Sequence, residues 1–338
     1  MQHDLLAWED WLAKLLAARA VPGATLALVR DGEVEVVAAG VRDVDSGEPV
    51  SAETVFDAAS LSKPMVAYAV LQLADAGVLH LDQPLSQLVP PLVPDDPLAE
   101  RITFRHVLTH TCGLQNLRGK EPLRMYFTPG ERFSYSSTGF MHMQSAIEAR
   151  TGEPLEVTLR RLVFVPLGMR SSSFEWQESF AANLALPHEN GTRLVKHRPP
   201  AASASYSLQT TAGDYGRFIA AVLHGAWLRQ ATWREWLVPV AHVPRGAAIH
   251  LEAAPAETED DVAWGLGWGL EPSRGTFFQW GKMDGVRAFA MGSVAAQTGV
   301  ALFTNGNTGL RLMGDVAGLV LPGAHPAIDW LACVTEEG

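Results

Sequence analysis

The feature that most constrains this chain is where its strand-like runs fall. Two stand near the start, ATLALVR (24–30) and EVEVVAAG (33–40), and three near the end, FFQW (277–280), VRAFAMGSV (286–294) and TGVALFTNG (298–306). The first two are separated by Asp31-Gly32, the favoured two-residue turn of an antiparallel hairpin. From Met65 to about Pro200 the apolar residues recur mostly at helical spacing, with Pro/Gly punctuation at VPPLVPDDP, TPGE and VPLGM. Leu5, Leu6, Trp8, Trp11, Leu12, Leu15 and Leu16 predict an opening helix. SYSLQTTAGDYGRFIAAVLHG reads as a loop and a helix, AAPAETEDD as an acidic, solvated loop, and GLRLMGDVAGLVL as a closing helix. The economical architecture is α+β: one antiparallel β-sheet built from both chain ends and flanked by N- and C-terminal helices, with an inserted mostly helical domain. The expected division is 1–64 and 205–338 for the sheet domain and 65–204 for the insert, with the active site between them.

Charge and composition remove several function classes. The chain has 338 residues, 47% of them apolar, and a net charge of −11 with no Lys/Arg-rich cluster, which argues against a nucleic-acid partner. No run of eighteen uncharged apolar residues is present to span a membrane. The start, MQHDLLAWEDWLAKLLAARA, lacks the basic, apolar and small-residue blocks of a signal peptide, so a cytoplasmic location is expected. Cys112 and Cys333 alone make neither a disulfide framework nor a C-x-x-C metal site. His106 and His110 lie four apart, but H-E-x-x-H is absent, and packing or capping is the better reading. The glycine spacing of GLGWG (265–269) fails as a dinucleotide fingerprint, and neither G-x-x-x-x-G-K-[ST] nor G-x-S-x-G occurs. No metal or organic cofactor is expected.

What remains is AASLSKP, residues 58–64, with Lys63 at the front of a long apolar run. Lysine suits the last turn of a helix rather than the first. If a helix begins near Ser60, Ser60 and Lys63 lie one turn apart on one face, and the Ser60 hydroxyl sits among free amides that favour negative charge. A serine alcohol becomes a useful nucleophile only when something takes its proton. Burial lowers a lysine pKa and lets the neutral amine do so. PGERFSYSSTGF adds Tyr135 in a polar loop before a helix, and QWGKMDGVRAF adds a glycine-bearing strand. Ser62 reads as a local hydrogen-bonding serine, and His110 and Cys112 as packing below the site.

The order of these motifs resembles the serine β-lactamase and penicillin-binding-protein superfamily, in particular its class C β-lactamase-like branch of D-alanyl-D-alanine carboxypeptidases, D-aminopeptidases and family VIII carboxylesterases. FDAASLSKP, ITFRHVLTHTCGL, TPGERFSYSSTGF, VFVPLGMRSSSF, SLQTTAGDYGRFIAAVL, WGLGWGL and FTNGN carry the resemblance over nearly the whole chain. It implies a β-lactamase/transpeptidase-like fold, Ser60 as acylated nucleophile, Lys63 as its activator and Tyr135 as proton shuttle. Two places depart from the pattern. The tyrosine motif Y-x-N ends here in Ser137, shorter than the asparagine that normally binds an amide arm of the substrate. The third motif, K-T-G or H-x-G, is here Gln279, Trp280 and Gly281, without a cation for a substrate carboxylate. Trp280-Gly281 resembles the W-G form of family VIII esterases. The count places Lys282 where the family uses a backbone amide for the oxyanion, so its N–H is expected to point in and its side chain away. The expected function is a serine acyl-hydrolase acting through a covalent acyl-enzyme on small esters or short amides and peptides, its expected partner being a small-molecule ester, amide or lactam substrate. A β-lactamase or D-amino-acid peptidase is the alternative, and an acyl-binding protein without turnover is a second. Oligomeric state is unknown from sequence.

Overall fold

The structure, a computed structural model, describes residues 2–117, 119 and 122–336. Its centre is an eight-stranded antiparallel sheet. The strands are β1 (Gly23–Arg30), β2 (Glu33–Gly40), β3 (Ala241–Pro244), β4 (Thr258–Trp264), β5 (Gly269–Glu271), β6 (Thr276–Met283), β7 (Val286–Ser293) and β8 (Thr298–Thr304). Their order is β2-β1-β8-β7-β6-β5-β4-β3. The sheet is therefore closed in its middle by β1 pairing with β8, Ala24 opposite Thr304 and Arg30 opposite Thr298. Asp31 (φ 49°) and Gly32 (φ 84°) both take the left-handed conformations that a tight hairpin turn requires.

Helices cover both faces, which is why β1 and β6–β8 read as nearly continuous apolar runs rather than alternating ones. The larger helices are α1 (Gln2–Ala18), α2 (Ser62–Asp75), α3 (Ser137–Thr151), α4 (Ala212–His224) and α5 (Pro326–Glu336). Ala27, Phe277, Ala288, Ala290, Ala301 and Phe303 share one core with α2 and α4. Leu26, Leu28, Phe278, Trp280, Phe289 and Leu302 face the other, shared with α1 and α5. Helix α4 lies close on the sheet because Gly216 has no side chain: a Cβ there would stand 2.6 Å from Val34 Cγ1. Helix α2 is buried from Ser62 through Leu71, as a helix apolar on all sides must be.

Four expectations need correction. The helix expected at 309–321 is a 3-10 turn, Gly309–Leu312, and a short helix, Met313–Ala317; the closing helix is α5. Gly318 and Pro322-Gly323 stop the first, and Pro326 starts the second where a missing N–H costs nothing. The acidic 253–261 loop becomes strand β4 from Thr258, with exposed and half-buried residues alternating before three buried ones. The middle segment, read as mostly helical, is largely loop between α2, α3 and several one- or two-turn helices. Finally, Ser60 lies in a 3-10 turn, Ala59–Leu61, ahead of the α-helix. Of the opening-helix residues, the Leu5 side chain lies outside the described residues. Among the described residues no helix is long and apolar enough to cross a membrane.

Candidate active site

The turn that carries Ser60 is held from three sides. The Leu61 amide donates to the Ala58 carbonyl at 3.0 Å, and the Ala58 amide donates to Leu208 at 2.8 Å. Ala59 has φ 48°, a left-handed conformation that costs a non-glycine residue about 1–3 kcal/mol and persists only where the surroundings impose it. Ser62 supplies part of that imposition. Its buried hydroxyl donates to the Ala59 carbonyl at 2.7 Å and accepts from the Leu208 amide at 3.0 Å. Ser62 is thus committed to backbone, while Ser60 stays half-exposed.

Lys63, in the first turn of α2, is 1% exposed. Its Nζ lies 3.0 Å from Ser60 Oγ and 2.8 Å from the Ser205 carbonyl. Burial alone pushes its pKa well below the ordinary lysine value. The amine is therefore disposed to be neutral, with one N–H given to Ser205 and a lone pair available to the Ser60 hydroxyl.

Tyr135 enters from the loop before α3. Its ring stacks on His110 with centroids 4.1 Å apart and leans on Trp280 at 4.9 Å. The Ser136 amide donates to His110 Nδ1 at 3.0 Å, and the Tyr135 amide donates to Ala248 at 2.8 Å. Burial pushes the phenol pKa up, against weaker opposing hydrogen bonds from Ser60 and Gln279, so the hydroxyl keeps its proton. His110, read from sequence as packing, is a platform for the Tyr135 ring; burial, then Lys63, pushes its pKa well below the ordinary value. His106 closes a capping box with Thr103 at the 104–108 helix.

On β6, successive side chains leave opposite faces. Gln279 faces the serine: its Nε2 donates to the Ser60 carbonyl and to the Tyr135 hydroxyl, both at 3.1 Å. Gln279 is fully buried, and its Oε1 has no partner among the described residues. Trp280 faces the other way, 8% exposed and packed on Tyr135, Trp264 and Trp330. Gly281 returns to the serine side, where a Cβ would meet the Ala58 carbonyl at 2.5 Å and Ala59 Cβ at 3.1 Å. Only glycine lets the strand approach the nucleophile turn this closely. The Lys282 side chain leaves the serine side, its Nζ lying 3.4 Å from the Thr335 carbonyl of α5. Ser137 is 6% exposed at the start of α3, and its amide donates to Asn116 Oδ1 at 3.0 Å.

Ser60, Lys63, Tyr135 and Gly281 thus converge, with Ser137 one helix position from the tyrosine loop, while Trp280 and the Lys282 side chain belong to the opposite face. Three contributors were missed as site groups. Gln279 was noted only for the charge it lacks. The Ser205 carbonyl has no side-chain signature. Asn116 reaches the tyrosine motif from a loop 21 residues before Ser137.

A fold of this kind with this serine–lysine–tyrosine cluster defines a serine acyl-hydrolase. The chain belongs to the β-lactamase family, whose profile matches residues 8–323. Among curated relatives it is 28% identical to penicillin-binding protein 4 of Amycolatopsis lactamdurans, over 95% of this chain and 93% of that protein. It is 31% identical to esterase EstB of Burkholderia gladioli over 52% of each chain. A β-lactamase of Pseudomonas fluorescens is 24% identical over 76% of this chain and 72% of that one. Two solved structures share the fold. One is a class C β-lactamase mutant, with TM-score 0.77 and 18% identity over 93% of this chain and 95% of that chain. The other is a β-lactamase/D-alanine carboxypeptidase from Pseudomonas syringae, with TM-score 0.78 and 17% identity over 96% of this chain and all of that one.

Proposed function

We propose that this serine hydrolase cleaves small neutral esters, or short amides, through an acyl-enzyme on Ser60. The observation that carries the reading is the buried Lys63 amine, 3.0 Å from Ser60 Oγ, with burial the one resolved influence on its pKa. Neutral Lys63 takes the Ser60 proton as Oγ bonds to the substrate carbonyl carbon. The amides of Ser60 and Lys282 face the developing oxyanion; one such donor is worth about 10²–10³ in kcat. As the C–O or C–N bond breaks, Tyr135 gives its proton to the leaving group and regains one from the Lys63 ammonium. In deacylation a water oxygen attacks the acyl carbon, and its proton passes by Tyr135 and Lys63 to Ser60 Oγ, restoring the starting state.

Gln279 supports a neutral substrate. Where a cation would pair with a carboxylate, a carboxamide already engaged with Ser60 and Tyr135 offers no charge. The likeness to an esterase supports the same choice, and the likeness to a penicillin-binding protein keeps β-lactams as the comparison substrate.

The test is a fluorophosphonate label together with counted turnover. A single adduct on the intact protein is expected, lost in Ser60→Ala and kept in Ser62→Ala. p-Nitrophenyl butyrate should turn over many times per enzyme, with kcat/KM well above that for a chromogenic cephalosporin. Label retained in Ser60→Ala removes the assigned nucleophile. Release that stops near one equivalent makes the protein an acyl-binder.

A further inference from the structure

Helix α3 starts just after Tyr135 and meets the catalytic cluster again further along. Ser137, Phe140 and Gln144 recur at helical spacing and share one face, with Gln144 two turns beyond the tyrosine loop. The Phe140 ring centroid lies 5.6 Å from Lys63 Nζ. Gln144 reaches the chain segment beside Lys63. Its Nε2 donates to the Ala202 carbonyl at 2.9 Å and to Glu148 Oε1 at 3.0 Å, and its Oε1 accepts from the Ala204 amide at 2.9 Å. These partners fix which way the carboxamide lies, because a flip would set oxygen against two acceptors and NH₂ against a donor. The next residue is Ser205, fully buried, whose carbonyl accepts from Lys63 Nζ at 2.8 Å. Beyond it the Leu208 amide donates to Ser62 Oγ at 3.0 Å. The segment is therefore tied to the nucleophile turn at one end and to Gln144 at the other, with the Ser205 carbonyl between them.

We propose that Gln144 is a positioning residue for the serine–lysine pair: by clamping Ala202 and Ala204 it holds the Ser205 carbonyl where it orients the Lys63 amine toward Ser60. The proposal rests on the reading of Lys63 as the base that activates Ser60. A primary amine turns freely about its Cε–Nζ bond unless an acceptor holds one N–H. The Ser205 carbonyl is such an acceptor, so its place sets the direction of the other Nζ valences, one of which meets Ser60 Oγ at 3.0 Å. Proton transfer needs that alignment as much as it needs the right pKa. Helix α3 then sets the register of both proton carriers, Tyr135 through its first turn and Lys63 through Gln144.

The test is the rate at which a fluorophosphonate labels Ser60, measured on the full chain well below its melting temperature. Gln144→Met keeps the length of the half-buried side chain and removes both bonds to the segment. It should label about tenfold to a hundredfold more slowly, the scale of a reacting group displaced by a fraction of an ångström to one ångström. Gln144→Glu keeps the oxygen for the Ala204 amide and loses the donor to Ala202, so it should fall between Gln144→Met and wild type; it carries the comparison alone if Gln144→Met does not fold. The same substitutions are then made in Lys63→Met, with the probe concentration raised to keep the rate measurable. There they should change labelling by less than about twofold, because the group they position is gone. Labelling at the wild-type rate in both Gln144 variants overturns the proposal. Equal slowing with and without Lys63 also overturns it, since a general loosening of the fold acts in both backgrounds. Lys63→Met that labels as fast as wild type removes the base reading, and the positioning role with it.

Discussion

The Gln279 amide donates to the Tyr135 hydroxyl at 3.1 Å, and that bond sets which way the phenol proton points. An oxygen that accepts from Gln279 turns its own hydrogen elsewhere. Gln279 thus donates to Tyr135, and Lys63 Nζ donates to the Ser60 hydroxyl and to the Ser205 carbonyl. Gln279→Lys places a positive charge against the phenol, which lowers its pKa. Activity on p-nitrophenyl butyrate should be flat on the alkaline side in wild type, where the phenol keeps its proton, and should acquire a falling limb at high pH in the variant. A carboxylate-bearing cephalosporin should gain on the ester by about tenfold in kcat/KM, the worth of one charge-assisted hydrogen bond. An unchanged alkaline profile and substrate ratio would detach Gln279 from both roles.

Lys63 exchanges stability for chemistry. Its folded pKa is depressed by burial, so between that value and the unfolded lysine value the unfolded chain binds more protons. Stability therefore rises with pH across this window, by up to about 1.4 kcal/mol per pH unit. Lys63→Met keeps the volume and removes the titration. The variant should be inactive, melt higher at pH 7, and show a smaller increase in melting temperature from pH 7 to pH 9. A variant that melts lower at pH 7 and keeps the wild-type slope would show that Lys63 is not the group paying desolvation.

Gly281 and Lys282 separate a backbone role from a side-chain role. Lys282→Ala keeps the N–H proposed to face the oxyanion and should retain most ester hydrolysis. Gly281→Val drives a Cβ into the Ala58 carbonyl and Ala59. Its kcat should drop by about 10²–10³ or more, the scale of one lost oxyanion donor, while circular dichroism shows a folded chain. A folded Lys282→Ala enzyme slowed a thousandfold would reverse the assignment and give the chemistry to the ammonium.

Tyr135→Phe leaves the stack on His110 and the contact with Trp280 and removes only the hydroxyl. Ester kcat should fall by about 10²–10⁴, the usual worth of a positioned proton donor, with the melting temperature nearly unchanged. Full activity with a lowered melting temperature would make Tyr135 a packing residue.

The parts legible in the sequence were those written in short-range pattern. Asp31-Gly32 announces its hairpin, β6–β8 announce themselves as apolar runs between turns, and Ser60 and Lys63 are joined by spacing within one helical turn. The unread parts depend on partners far along the chain. Strand β4 carries Glu259, Asp260 and Asp261, which look like loop until Val262, Ala263 and Trp264 are seen entering the sheet. The closing helix was sought one segment early because 309–321 is apolar enough to suit either. Ser205 acts through a carbonyl, which every residue has. Gln279 matters because of where its amide lands between Ser60 and Tyr135, and Trp280, its conspicuous neighbour, points into the opposite core.

The pairing of β1 with β8 has a consequence in time. A chain emerging from the ribosome exposes Ser60, Lys63 and Tyr135 long before Gln279 and Gly281 exist, and β1 waits for β8 to complete its sheet. Contacts between such distant segments form slowly, because a long loop must close before any pairing rewards it. Until then the serine has neither its strand-borne amide nor a directed phenol. Nascent and misfolded copies should therefore be chemically quiet, with the reactive alcohol expected only in the finished molecule.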